Sequence, residues 1–291
     1  LRAPADGFVL LDKPSGITSF VALESLKDSL QTRRIGHTGT LDKFASGLLV
    51  ALTGRYTRLA ELFTELDKEY RATITFGVST DTLDPEGDTV EEGPLPEMQA
   101  LQEAAARFTG PLLQYPPEYS ALHIGGKRAH EIVRAGGNPE LRARRVTVHR
   151  FELLAFQPPE LTVKVRCSKG TYIRALARDL AREVGSCAYV SSLRRTRVGP
   201  FHVAEAVLSE DFDPARDLLA ALQIFGRLPG VETLRIKAGY GDRIRNGAPL
   251  EEGYFETPCS RDGPFALFDG RDELVAVASR SGGRFRYTAV F

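Results

Sequence analysis

The stretch RRIGHTGTLDKFASGLL, residues 33–49, sets one carboxylate, Asp42, in a Gly/Thr-rich turn between His37 and an apolar run. An Asp so placed can cap a turn, ligate a metal, accept a phosphoryl group or act as a nucleophile. Metal chemistry finds no support in the spacing: the five histidines form no HxxxH or HxH pair, and Cys167, Cys187 and Cys259 lie far apart with no CxxC. Asp81, Asp84 and Asp88 lack the Gly and terminal Glu of a calcium loop and read as a solvated acidic loop. There is no GxxxxGK[ST] phosphate cradle, no GxGxxG beside Asp42 and no GxSxG elbow. Two readings of Asp42 stay open: a structural turn residue, or a carboxylate working at a glycosidic or phosphoryl centre.

The elements that would position it follow from periodicity. Phe8 to Leu11 is a strand-like run that turns at Pro14-Ser15-Gly16, and Ser19 can cap a helix over residues 20–33. In KEYRATITFGV, Tyr70, Ala72, Ile74, Phe76 and Val78 share one face of a strand. From Ser79 an acidic, aperiodic stretch reads as a mobile loop, followed by a helix over 97–110 that Gly110 can end. Residues 111–137 are long and irregular, which in a compact domain marks a functional or disordered segment.

The clearest segment is LTVKVRCSKGTYIRALARDLAREVG. Leu161, Val163, Val165 and Cys167 alternate as a strand, Ser168-Lys169-Gly170 turns, and Thr171 can cap the helix that Gly185 closes. Ile173, Leu176, Ala177, Leu180, Ala181 and Val184 form its apolar stripe, with Arg174, Arg178 and Arg182 in one row opposite. Arg174 thus falls in the first turn, at a tight strand-to-helix junction. After residue 229 the texture changes to short strand-like runs, so residues 230–291 read as a small all-β module and residues 1–229 as the larger domain.

Composition fits this picture. Hydrophobic residues make up 42% and charged residues 26% of 291, as in a soluble globular protein, and no apolar run reaches membrane-spanning length. With no signal-peptide pattern and no disulfide framework, a cytoplasmic location is expected. Net charge is zero but segregated: residues 61–105 hold twelve Asp/Glu against two Lys/Arg, and residues 121–200 hold sixteen Lys/Arg against six Asp/Glu. Such a field steers a polyanion to one face.

Four segments in order, DKPSGITS (12–19), RIGHTGTLDKFASGLL (34–49), KEYRATITFGVSTDTLDPEG with YPPEYSALHIGGKRAHE (115–131), and CSKGTYIRALARDLAREVG…YVSSLRR (167–195), resemble the tRNA pseudouridine-55 synthases of the TruB type. The resemblance covers residues 8–200, and GHTGxLD with CSKGTYIR downstream is very specific. Residues 230–291 look like the PUA-type RNA-binding domain these enzymes often carry, on weaker motifs.

The resemblance implies an α+β fold with a mixed, mainly antiparallel sheet flanked by helices. It also implies isomerisation of uridine 55 in the tRNA T-loop by base flipping, without cofactor or metal. Asp42 matches the essential Asp, whether it attacks C1′ or C6 or acts through a glycal. Arg174 matches its ion-pair partner, and Tyr70 matches the active-site Tyr that packs on the base and is a candidate for abstracting the C5 proton. His37 matches the residue that fills the space left by the flipped nucleotide. Lys13 and Lys169 are expected as phosphate or active-site-loop contacts, Tyr172 and Leu193 around the pocket, and Arg178, Arg182, Arg194 and Arg195 at backbone phosphates. The implied partner is the T-stem-loop of tRNA, bound by a monomer with no obligatory protein partner. The long basic extensions of guide-RNA-dependent relatives are lacking. The alternative in another class is a tRNA-folding chaperone on the same scaffold, with catalysis incidental; the presence of both Asp42 and Arg174 favours the enzyme. One departure stands out: the family more often reads GALDPxATG, and Lys43 replaces that Pro.

Overall fold

Gly7–Lys13 and Ser46–Thr53 are apolar on both faces, and each pairs antiparallel with the other. Because strand side chains alternate, Phe8, Leu10, Leu48, Val50 and Leu52 enter one core and Val9, Leu11, Leu49 and Ala51 another. These strands lie at one edge of a nine-stranded sheet in the computed structural model, which describes residues 6–120 and 122–291. The sheet continues through Ala188–Val198, Lys68–Phe76, Glu160–Cys167, Arg144–Gln157 and Gly110–Gln114. Every pairing is antiparallel except Ser46–Thr53 with Ala188–Val198, so the sheet is mixed and mainly antiparallel.

On the other half of the sheet alternation sorts one buried face from one open face. Ala72, Ile74, Phe76, Leu161, Val163, Val165 and Cys167 pack under the helices Met98–Arg107 and Ile173–Glu183, while Arg71 and Arg166 point to solvent. Burying a side chain such as Ile74 or Val163 in this layer contributes about 1.5–3 kcal/mol.

Several local expectations are corrected. The segment 20–33 yields only a 3-10 turn, Val21–Leu23, and a short helix, Glu24–Ser29. Ser19 does not cap it; Thr18 Oγ1 accepts from the Val21 amide, and Ser19 is engaged elsewhere. Gly110 does not end the helix 98–107 but opens a strand, with φ +103. Tyr172, not Thr171, is the residue before the helix Ile173–Glu183. The acidic stretch is not a free loop: Val78–Thr80 pairs with Thr89–Glu92, and Asp84 is buried.

Residues 230–291 form a four-stranded sheet, Glu232–Arg235, Gly263–Phe268, Leu274–Ser281 and Arg284–Val290, with a helical turn at Gly241–Arg245. One face builds its own core around Ile244, Phe255, Phe265 and Leu267. The other does not close on itself. Ala266, Phe268, Val277, Ala289 and Phe291 join Phe8, Phe63 and Phe225 in one cluster, with the Phe225 and Phe268 rings 6.3 Å apart and Tyr56 and Phe291 5.1 Å apart. Among the described residues no helix is long and apolar enough to cross a membrane.

Candidate active site

Asp42 lies on the loop between Ile35–His37 and Ser46–Thr53, and DKPSGITS is the clamp that shapes that loop. The Lys13 ammonium donates to the carbonyls of Pro14 (2.9 Å), Ile17 (2.7 Å) and Lys43 (3.4 Å). Ser15 Oγ donates to Phe44 O (2.6 Å), the Gly16 amide to Lys43 O (2.8 Å), and Ser19 Oγ both accepts from the Leu41 amide and donates to its carbonyl. Four side or main chains of one motif thus fix residues 41–44. Gly47 completes the fit: a Cβ there would lie 2.3 Å from the Arg195 carbonyl, so only glycine lets the two strands close.

Arg174, the second residue of its helix, is held at the end of the adjoining strand by the Gln114 side chain. That amide accepts from the Tyr172 N–H (2.8 Å) and donates to the Tyr172 carbonyl (3.1 Å). Arg174 is 3% exposed, and both terminal nitrogens of its guanidinium are engaged. Nη2 donates to Asp42 Oδ1 (3.1 Å) and Tyr119 O (2.9 Å), Nε sits 2.9 Å from Asp42 Oδ2, and Nη1 donates to Thr82 O (2.7 Å) and Asp84 Oδ2 (3.0 Å). One cation therefore serves two carboxylates. Burial pushes the Asp42 carboxyl above its ordinary value; the Arg174 charge opposes this most strongly, and the Asp84 charge adds to the rise.

Asp42 and Arg174 stand in the wall between two cavities. The inner one, about 530 Å³, is also lined by Tyr70, Leu193, Arg195, Tyr172 and Lys169. The outer one, about 740 Å³, is lined by His37, Thr40, Asp84, Glu86 and Tyr119 as well. Tyr70 is opposite Arg195 in the strand register, and burial pushes its phenol up, so the ring stays protonated near neutrality. Burial and the Arg195 charge push the His37 imidazole down, which keeps it neutral, and its Nδ1 is buried without a partner among the described residues.

The expected residues Asp42, Tyr70, Arg174, His37, Lys169, Tyr172 and Leu193 therefore converge, with Lys169 ion-paired to Glu65 at the rim. Lys13 takes the second of its two expected roles, and Arg194, Arg195 and Arg178 are engaged within the protein. Lys13 is fully buried and works inside the loop clamp, so it contacts the active-site loop and not a phosphate. Arg194 spends its fork on Asp12 (3.0 and 2.6 Å). Arg195, expected at a phosphate, is 1% exposed and donates to Leu48 O and Gly39 O behind Tyr70. Arg178 is bonded to Asp179 and to the Tyr115 carbonyl. Asp84 was missed as a site residue because its motif reads as a solvated loop. Period-two alternation from Leu193 was a usable signal that Arg195 points inward and Arg194 outward. Lys43 pairs with Glu86 (3.2 Å); the clamp uses only its carbonyl, which a Pro would supply equally.

The arrangement defines a class, a pseudouridine synthase, and the comparisons bear on it directly. A chain of a crystallised Cbf5–Nop10–Gar1 complex superposes with a TM-score of 0.72, covering 98% of this chain and 84% of that one at 25% identity. The C-terminal sheet is consistent with a PUA-like domain. Residues 27–173 match the TruB family pseudouridylate synthase N-terminal domain, and residues 174–221 match the tRNA pseudouridylate synthase B C-terminal domain. The tRNA pseudouridine synthase B of Borreliella burgdorferi (strain ZS7) is 39% identical over 98% of this chain and 99% of its own. That of Aromatoleum aromaticum is 40% identical over 93% and 88%. The chain belongs to the TruB family, and it is a tRNA pseudouridine synthase, an isomerase.

Proposed function

We propose that the enzyme converts uridine 55 in the T-loop of tRNA to pseudouridine, with the flipped nucleotide in the inner cavity and Asp42 as nucleophile. The observation that carries this reading is the Asp42 carboxylate, aimed by the buried Arg174 fork into a 530 Å³ cavity walled by Tyr70 and Leu193. Cleavage of the C1′–N1 bond leaves its electron pair on the uracil, Asp42 balances the electron-poor sugar or ring carbon, and the base rejoins through C5, which loses its proton while N1 gains one. Composition and oxidation state are unchanged, so the step calls for no cofactor. Leu193 and the Tyr70 ring exclude water, and the protonated phenol favours packing on the base over proton abstraction. Neutral His37 suits the space vacated by the extruded base, whose unstacking costs a few kcal/mol. Lys169 is poised at the rim to exchange Glu65 for an RNA phosphate. We assign catalysis to residues 1–229 and added RNA contact to residues 230–291, in a cytoplasmic monomer.

The test is incubation with unmodified tRNA, followed by carbodiimide-stop mapping of pseudouridine. Wild-type protein is expected to mark position 55, and Asp42→Ala to mark nothing while still binding tRNA. Product from Asp42→Ala would overturn the nucleophile assignment. Binding by the wild type without any product would leave the chaperone alternative.

A further inference from the structure

The inner cavity is lined by a half-buried cation, Arg144, whose two inward nitrogens are not satisfied. Arg144, the first residue of the strand Arg144–Gln157, lines the cavity with its guanidinium carbon 4.5 Å from the Tyr172 ring centre. Its Nε and Nη2 are buried and have no hydrogen-bond partner among the described residues. Its neighbours are better supplied: Arg174 has both carboxylates and two carbonyls, with only its Nε lacking an aligned hydrogen bond, and Arg195 has two carbonyls. A buried donor left unpaired costs about 1–3 kcal/mol, so a fork kept in this state is one that an incoming acceptor would satisfy.

The surroundings keep the fork accessible to such an acceptor. Arg144 is paired in register with Gln114, whose side chain clamps the Tyr172 backbone that carries the ring beneath the guanidinium. On the other side stands Gly170, with φ +75; a Cβ there would come 3.4 Å from Arg144 Nη1. The CSKG turn, with the exposed Lys169, thus lies against the end of the guanidinium, and glycine leaves it room to move. Rotation off the ring would free Nε and Nη2 for an acceptor entering the cavity. A planar fork matches phosphate oxygens in a two-point contact that an ammonium does not reproduce.

We propose that Arg144 is a substrate-binding residue that leaves its rest on Tyr172 to grip a phosphodiester flanking the flipped nucleotide. This rests on the reading of the inner cavity as the nucleotide pocket. The experiment measures tRNA dissociation constants for wild type, Arg144→Gln and Arg144→Lys at several salt concentrations, with KM and kcat from tritium release at C5. Arg144→Gln is expected to raise KM about tenfold with little change in kcat. It should also make the log–log salt dependence shallower by about 0.7–0.9, one phosphate's share. Arg144→Lys keeps the charge, so it should restore the salt slope but only part of the affinity; this also separates phosphate contact from a folding defect. An unchanged slope in Arg144→Gln overturns the proposal. A fall in kcat with KM and slope unchanged would place the fork on the base instead, and overturns it equally. Wild-type protein that binds tRNA but releases no tritium would defeat the reading of the cavity, while the salt slope still decides the phosphate contact.

Discussion

Asp84→Asn isolates the consequence of two carboxylates sharing one guanidinium. Asp84 is 5% exposed; its Oδ2 accepts from Arg174 Nη1, and its Oδ1 accepts from the Thr82 hydroxyl (2.6 Å) and the Glu86 amide (3.0 Å). An asparagine that keeps the second pair turns its amide donor toward the Arg174 donor. Breaking a buried ion pair costs about 3–5 kcal/mol when the remaining charge is stranded. Arg174 retains Asp42, Thr82 O and Tyr119 O, so about 2–3 kcal/mol is expected, lowering Tm by about 6 °C. Loss of the outer anchor lets the fork on Asp42 shift, and misplacement by an ångström costs about a hundredfold in rate. The pH profile carries a sign. In the proposed reaction Asp42 works ionised, so activity is expected to fall as pH drops through its raised value; the Asp84 charge helps raise it, and removing that charge moves the acid limb to lower pH. Single-turnover tritium release between about pH 5 and 8, with a thermal melt, measures all three. A wild-type rate, or an acid limb displaced to higher pH, would refute the shared-cation reasoning.

Lys13→Met leaves the Pro14, Ile17 and Lys43 carbonyls without their ammonium and should cost about 2–4 kcal/mol in denaturant titration. Burial pushes Lys13 down to about 8, so the unfolded chain binds more protons than the folded one between there and its ordinary value of about 10.4. Stability from this group is therefore full above that window and lost as pH falls through about 8; the variant should lack that rise, and an identical pH dependence would contradict it. Deleting residues 230–291 uncovers Phe8, Phe63 and Phe225, so the truncated chain should melt far lower and bind tRNA more weakly; a full-length Tm would refute the common core.

Much of this molecule was legible because its signals are local. The alternation of Leu161 to Cys167 and the helical stripe from Ile173 need no distant partner to be recognised, and Asp42 and Arg174 were singled out by their motifs. What escaped depends on tertiary contacts. Nothing near Asp84 reveals that Arg174, 90 residues on, makes it an interior residue. The sequence leaves Lys13 between a phosphate and the active-site loop, and only the fold shows the carbonyls of residues 14, 17 and 43 gathered around it. The apolar runs of residues 263–291 predict strands but not that one sheet face completes the core of the first domain.

The Arg174 contacts also bear on the order in which the enzyme becomes active. Its partners lie 55, 90, 92 and 132 residues away along the chain, at Tyr119, Asp84, Thr82 and Asp42. Closing such loops is an entropic cost met only when the sheet that spans them is already in place. The Asp42 carboxylate therefore acquires its counter-charge among the last events of folding. A growing chain still lacking the helix Ile173–Glu183 holds the whole GHTGTLD motif and no means of aiming it, so a half-made enzyme is silent toward the tRNAs around it.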